Sequence, residues 1–150
     1  MSIKKTPEDQ LHLISKKIQQ NKSRQIKEYE NAEKKRIQQQ RKMDNKLTTL
    51  SNFLLSIKNS FNRFLQNEKM CDYELNLFNT SSTPFEHSYG LALKKNKKRL
   101  LAKTIITVYK DKVFCDYITE NKVEHVRTFG QRLKNKIEKF FIAKIKMQEI

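Results

Sequence analysis

The sequence predicts an α+β fold in which a long N-terminal helical or coiled-coil extension precedes a small antiparallel β-meander capped by a C-terminal helix. Up to about residue 70 the chain has no glycine, and no proline after Pro7, so nothing in its local chemistry interrupts a helix. After residue 71 apolar and polar residues alternate, which is typical of strands, and Gly130 then precedes an amphipathic stretch. We therefore predict a basic helical extension over 1–70 and an α+β domain of four or five strands plus one helix over 71–150.

The start of the first helix is marked by residues that favour helix N-termini. Thr6 suits the N-cap position and Pro7 suits the first helical position. Glu8 and Asp9 then place negative charge at the positive end of the helix dipole. We expect the helix to begin here.

A heptad seam follows between residues 43 and 64. Its apolar residues recur in alternating steps of four and three, the spacing that keeps one stripe facing a partner helix. The seam consists of Met43, Leu47, Leu50, Leu54, Ile57, Phe61 and Phe64. Two partners fit it: a second copy, which would make a coiled-coil homodimer, and the chain's own C-terminal half. A domain of about eighty residues supports only a small core, so the burial that a homodimer adds would help to stabilise it.

Strands are predicted where β-branched and aromatic residues cluster between turn-forming residues. The predicted strands are 73–78, 88–93, 100–109, 113–119 and 122–129, with a turn over 79–84 between the first two. The last helix carries one apolar face, which should cover one face of the sheet. That face consists of Leu133, Ile137, Phe140, Phe141 and Ile145.

The charge of the chain points to an anionic partner. Its 32 Lys and Arg against 16 Asp and Glu give a formal net charge of +16. The densest cluster, Lys94–Arg99, falls at a predicted turn, where like charges repel unless a polyanion binds and releases its condensed counterions. The extension adds a second cluster around residues 34–42. The predicted phosphate contacts are Lys34, Lys35, Arg36, Arg41, Lys42, Lys94, Lys95, Lys97, Lys98 and Arg99.

These features predict a non-enzymatic nucleic-acid-binding protein that acts as a homodimer inside the cell, in the cytoplasm, nucleoid or nucleus. DNA and RNA both fit the charge, and duplex DNA is favoured because a long basic helix in a dimer can straddle its backbone. The alternative is a coiled-coil adaptor or assembly subunit that docks an acidic partner protein or an anionic membrane surface. No apolar run approaches the roughly 20 residues of a spanning helix, so we expect no transmembrane segment.

One pair of residues could orient an imidazole for general-base catalysis. If Glu120 and Asn121 form a hairpin loop, Asp116 stands opposite His125 on one face of the sheet, and Cys115 points to the other face. We interpret Asp116 and His125 as a structural cross-strand ion pair and predict no catalytic residues.

Metal binding is not predicted. The candidate ligands lack the short paired spacings of structural zinc sites, and two glycines leave no phosphate-cradling loop. The ligands considered are Cys71, His87, Cys115 and His125. We predict no metal and no cofactor.

Overall fold

A computed structural model describes residues 6–150, apart from the side chain of Ser81. Five strands form one antiparallel sheet in the order β1-β2-β3-β4-β5, so each strand pairs with its neighbour in the chain. This architecture confirms the α+β prediction, with five strands. The elements are α1 Pro7–Asn67, β1 Tyr73–Ser82, β2 Glu86–Lys95, β3 Arg99–Tyr109, β4 Cys115–Thr119, β5 Lys122–Val126 and α2 Gln131–Gln148.

Helix α1 begins where its capping residues predict. The Thr6 backbone N–H donates to Asp9 Oδ2 at 3.3 Å, and the Asp9 backbone N–H donates to Thr6 Oγ1 at 3.2 Å. Each residue thus satisfies one of the backbone donors that a helix start leaves unpaired.

The chain divides into two compact units, of which the first ends at Gln40 and the second spans Arg41–Ile150. The second unit therefore begins well before the predicted boundary at residue 70. The reason is that the last part of α1 belongs to the core of this unit. Its buried residues are Met43, Leu50, Leu54, Ile57, Phe61 and Leu65, with Leu47 half-buried beside them.

The heptad seam is filled by the chain's own sheet and by α2. Leu50, Leu54 and Ile57 are each 0% exposed and belong to one core cluster with residues of both elements. Phe64, the last predicted seam residue, lies outside this core: it is 63% exposed, while Leu65 is 3% exposed. A straight helix has 3.6 residues per turn, so a strict heptad drifts off the buried face and the neighbouring position replaces it.

One face of the sheet supplies the rest of this core. Alternate residues of the strands point towards the helices, as in the cross-strand pairs Leu75 with Leu93 and Ile106 with Tyr117. Helix α2 buries Leu133, Ile137, Phe141 and Ile145, and Phe140 is half-buried with its ring 5.3 Å from that of Phe141. The predicted apolar face of the last helix is confirmed.

The Asn62 side chain joins α1 to the edge strand β1. Its Nδ2 donates to the Leu75 carbonyl at 3.0 Å, and its Oδ1 accepts from the Leu75 N–H at 2.8 Å. These two hydrogen bonds hold the last part of α1 against the first part of β1.

Two strand ends differ from the predicted ones by more than two residues. Strand β1 continues to Ser82 through an irregularity between Asn79 and Ser81, because an edge strand tolerates turn-forming residues at a bulge. Strand β5 ends at Val126, after which Phe129 stacks on Phe53 of α1 with ring centroids 5.7 Å apart.

Candidate nucleic-acid interface

The densest basic cluster lies on an ordered turn between β2 and β3. Asn96 and Lys97 adopt left-handed backbone conformations, with φ of 55° and 62°. The Asn96 N–H donates to the Asp72 carbonyl at 2.7 Å, and the Lys98 N–H donates to the Lys95 carbonyl at 3.3 Å. Asparagine tolerates this conformation better than most residues, and the two hydrogen bonds hold the turn against the strain at Lys97.

Four side chains of this turn present charge to solvent; we call Lys94, Lys97, Lys98 and Arg99 the β2–β3 tip. The last three are exposed, and Lys94 is half-buried on the sheet face away from the core. Within residues 6–150, none of the four makes an ion pair. Their charge is therefore available to a partner.

Lys95 is half-buried and, unlike the residues of the β2–β3 tip, makes an ion pair among the described residues. Its Nζ lies 3.6 Å from Glu149 Oε1 and 5.2 Å from the centre of the Tyr73 ring, while the Tyr73 hydroxyl donates to Glu149. Its interaction with Tyr73 raises the pKa of Lys95, and the hydrogen bond from Tyr73 lowers the pKa of Glu149. Sequence spacing placed Lys95 among the phosphate contacts, but its partners give it a structural role at the C-terminal end of α2.

Arg41 and Lys42 lie at the other end of the sheet from the β2–β3 tip. One turn after Lys42, Lys46 donates to the Val113 carbonyl in the loop between β3 and β4 at 3.1 Å. Strand β3 has 11 residues and separates that loop from the tip by roughly 33 Å, at about 3.3 Å per residue. Arg41 and Lys42 are thus not brought together with the β2–β3 tip.

The remaining predicted contacts belong to the first unit. Lys34, Lys35 and Arg36 are exposed on α1. Arg36 pairs with Glu33, with 3.0 Å between Nη2 and Oε2. Lys34 and Lys35 make no ion pair within the described part of the chain, so they carry most of the free charge of this cluster.

The sequence does not predict a second basic surface, because the residues of that surface are spread along the chain. Arg127, Arg132 and Lys136 line a cavity of about 300 Å³ with His125 and with Glu124, which pairs with Lys136 at 2.7 Å. No charge run marks these positions. Only the turn from β5 into α2 brings them together, and the sequence does not specify its geometry.

The Asp116–His125 pair forms as the register predicts. The two residues are opposite each other on β4 and β5, with 2.7 Å between Asp116 Oδ1 and His125 Nδ1, and the Tyr109 hydroxyl donates to Asp116 Oδ2 at 2.6 Å. Burial alone would raise the pKa of Asp116, but the bonds from Tyr109 and His125 outweigh it, so this pKa lies below its usual value. The hydrogen bond between the Tyr109 hydroxyl and Asp116 raises the pKa of Tyr109 to about 12.

Cys115 does not complete a catalytic arrangement with His125. It is fully buried on the core face of the sheet, whereas His125 lies on the other face. Burial raises the pKa of the Cys115 thiol, which disfavours the nucleophilic thiolate. The geometry therefore describes a cross-strand polar network rather than a Cys–His pair.

The other candidate metal ligands lie apart. His87 Nδ1 is 2.8 Å from Ser82 Oγ at the far end of β2, and Cys71 is exposed between α1 and β1. Among the described residues, no three His, Cys, Asp or Glu side chains form a group that could hold a metal ion. No helix in residues 6–150 combines the length and apolarity needed to cross a bilayer.

Comparison of the chain with models of protein families, with curated proteins and with solved structures finds no match. Only the side chains themselves therefore indicate a function.

Proposed function

We propose that this protein binds nucleic acid, without enzymatic activity, by contacting phosphates through the β2–β3 tip. One observation carries the proposal: four cations lie on one ordered turn or on the strand ends beside it, and none of them makes an ion pair within the described residues. A merely solvated surface usually mixes acidic side chains with basic ones. Asn96 is the only residue between Lys94 and Arg99 that is not basic, and none of them is acidic.

The charge balance of the second unit supports this proposal. Residues 41–150 contain 22 Lys and Arg against 11 Asp and Glu, a formal net charge of +11. Several carboxylates of this unit already face a cation, in the pairs Glu120–Lys144, Glu124–Lys136, Glu138–Lys134 and Glu149–Lys95. The repulsion at the β2–β3 tip is therefore relieved best by a polyanion from outside the chain.

The shape of the β2–β3 tip favours contact with the nucleic-acid backbone. The hydrogen bond from Asn96 to Asp72 ties the turn to the start of β1, so only residues 96–98 extend beyond the paired strands. A turn this short does not enter a groove as a two-stranded ribbon does. Backbone contacts position a protein without reading sequence, so we expect little sequence specificity. Duplex DNA is the favoured substrate because it carries one charge per about 1.7 Å of helix axis.

We favour nucleic acid over a coiled-coil adaptor that docks through the seam at 43–64, because the buried seam residues pack in the chain's own core. The same holds for a homodimer built on that seam. An acidic protein or an anionic membrane remains a competing partner for the charge, and the binding experiment distinguishes it from nucleic acid.

The experiment is a set of salt-titrated binding isotherms of the full chain with duplex DNA, single-stranded DNA, RNA and heparin. We expect one nucleic acid to bind more tightly than heparin at equal charge concentration, with the logarithm of affinity falling linearly with that of salt. Vesicles of anionic lipid form the comparison arm. Equal binding to every polyanion, or preference for the vesicles, would overturn the proposal.

A further inference from the structure

The first unit carries an apolar stripe that differs in period from the heptad seam. Its positions recur in steps of four, four, three, four and four, the pattern of an 11-residue repeat with 3.67 residues per turn. A nearly straight helix keeps such a stripe on one side. The stripe consists of Ile18, Lys22, Ile26, Tyr29, Glu33 and Ile37.

The apolar members of this stripe are all in contact with water. Ile18 is 49% exposed, Ile26 58%, Tyr29 69% and Ile37 42%. Four large apolar side chains aligned on one helix face mark an interaction surface. A bilayer does not suit it, because two charged residues interrupt the stripe and would be costly to place in an apolar interior.

The order of residues in the stripe is self-complementary when the direction of the chain is reversed. Turning the stripe about a point between residues 27 and 28 places Ile18 opposite Ile37 and Ile26 opposite Tyr29. It also places Lys22 opposite Glu33, so opposite charges meet. In a parallel pair in register, Lys22 would instead face Lys22 and Glu33 would face Glu33.

We infer that a second copy of this chain packs antiparallel on the stripe 18–37. The twofold axis of such a dimer produces each contact twice, so two Lys22–Glu33 pairs flank a central Ile26–Tyr29 cluster. These charge pairs select the antiparallel orientation over the parallel one, as charged positions do in coiled coils.

The described contacts of Glu33 leave room for this pairing. Arg36 donates to Glu33 through Nε at 3.2 Å and Nη2 at 3.0 Å, and both bonds end on Oε2. The other carboxylate oxygen can accept from Lys22 of the second copy. Arg36 then holds the carboxylate in place without competing for the same oxygen.

The opposite side of the helix stays exposed in this dimer. Around the helix axis, at about 100° per residue, Lys27 lies about 140° from Lys22 and Lys34 lies about 100° from Glu33, so both point away from the stripe. Their charges therefore remain available, and self-association does not depend on nucleic-acid binding.

The test is a charge-exchange series measured by sedimentation equilibrium of the full chain. Lys22→Glu and Glu33→Lys each turn both attractive pairs into repulsive ones, so each single variant should dimerise about tenfold more weakly or worse. The double variant exchanges the charges and should return to near the original dimer constant. Lys27→Glu changes the net charge as Lys22→Glu does, but on the other side of the helix, and should dimerise like the unmodified chain.

Mixing the two single variants gives an independent measurement. One chain then carries two acidic residues and the other two basic residues at the stripe, so they should form a mixed dimer in preference to either homodimer. Far-ultraviolet circular dichroism of each variant checks that the helix is intact. A monomeric unmodified chain at hundreds of micromolar, a double variant as weak as the singles, or an equal loss in Lys27→Glu would overturn the inference.

Discussion

Helix α1 offers a comparison between two apolar stripes in one continuous element. In its last part, Leu50, Leu54 and Ile57 are completely buried by the sheet and by α2. In residues 6–40 every residue is exposed except the half-buried Glu33, and Ile26 is 58% exposed. The period of a sequence thus identifies the apolar face of a helix, but what covers that face depends on residues far along the chain.

The largest expected difference between the two stripes is in the free energy of unfolding when the same substitution is made in each. Ile57→Ala should lower the free energy of unfolding of the second unit by about 2–5 kcal/mol, because it leaves a cavity in a packed core. Ile26→Ala should change it by less than about 0.5 kcal/mol, because no packed neighbour is lost. Urea denaturation followed by tyrosine fluorescence, at concentrations below self-association, measures both. Equal losses would show that the two stripes do not differ in burial.

A smaller effect is expected on the sheet face that the helices leave uncovered. A Cβ at Gly90 would lie 2.4 Å from the Thr104 carbonyl oxygen and 2.5 Å from Cζ of Phe78. Gly90→Ala should therefore cost about 1–3 kcal/mol, since backbone and a packed ring must both shift.

The matched control is the other glycine of the chain. A Cβ at Gly130 would meet nothing within 4 Å, so Gly130→Ala should cost less than about 0.5 kcal/mol. The same urea titration compares the two variants. A Gly90→Ala variant as stable as Gly130→Ala would mean that Phe78 does not pack across Gly90.

The smallest expected stability effect is a pH dependence at Asp116. Because the pKa of Asp116 is lower in the folded chain than its ordinary value of 3.8, the ionised form of Asp116 stabilises the fold above that value. This contribution should disappear as the pH falls through the folded pKa. Asp116→Asn removes it, so the variant should be less stable at pH 6 and approach the unmodified protein near pH 2.

Urea midpoints between pH 2 and 6 provide the measurement, with Asp111→Asn as the control at an exposed carboxylate of the preceding loop. A constant difference between Asp116→Asn and the unmodified chain across this range would contradict the assigned role of Tyr109 and His125.

Much of the fold follows from local signals. The reciprocal Thr6–Asp9 cap and the Asp116–His125 register depend on spacings of a few residues, and the structure has both. The exchange of Phe64 for Leu65 at the end of the seam follows from the 3.6 residues per turn of a straight helix, but that the partner of α1 is a sheet and not a coiled-coil helix depends on residues far along the chain.

The site was harder to predict than the fold, because the role of a charge depends on its partners. Lys94 and Lys95 are adjacent in sequence, yet they point to opposite faces of β2, and only Lys95 reaches Glu149. Alternation along a strand predicts the two faces but not what lies on each. The cavity lined by Arg127 and Arg132 was not predicted for a similar reason, because a turn and a helix bring together residues that are separated in the sequence.

Two triple variants with equal net charge test whether the β2–β3 tip is the surface that binds nucleic acid. One replaces Lys97, Lys98 and Arg99 of the β2–β3 tip with alanine. The other replaces Lys134, Lys136 and Lys144 of α2, each of which is paired with a glutamate. Both variants lose three positive charges, but the first loses unpaired ones and the second loses paired ones.

The measurement is the slope of log affinity for duplex DNA against log salt concentration. The β2–β3 tip variant should lose about 3 from the magnitude of the slope together with most of its affinity, because three phosphate contacts disappear. The α2 variant should keep a slope close to that of the unmodified chain. Equal slopes in the two variants would contradict the account, because they would mean that net charge, and not the β2–β3 tip, binds the nucleic acid.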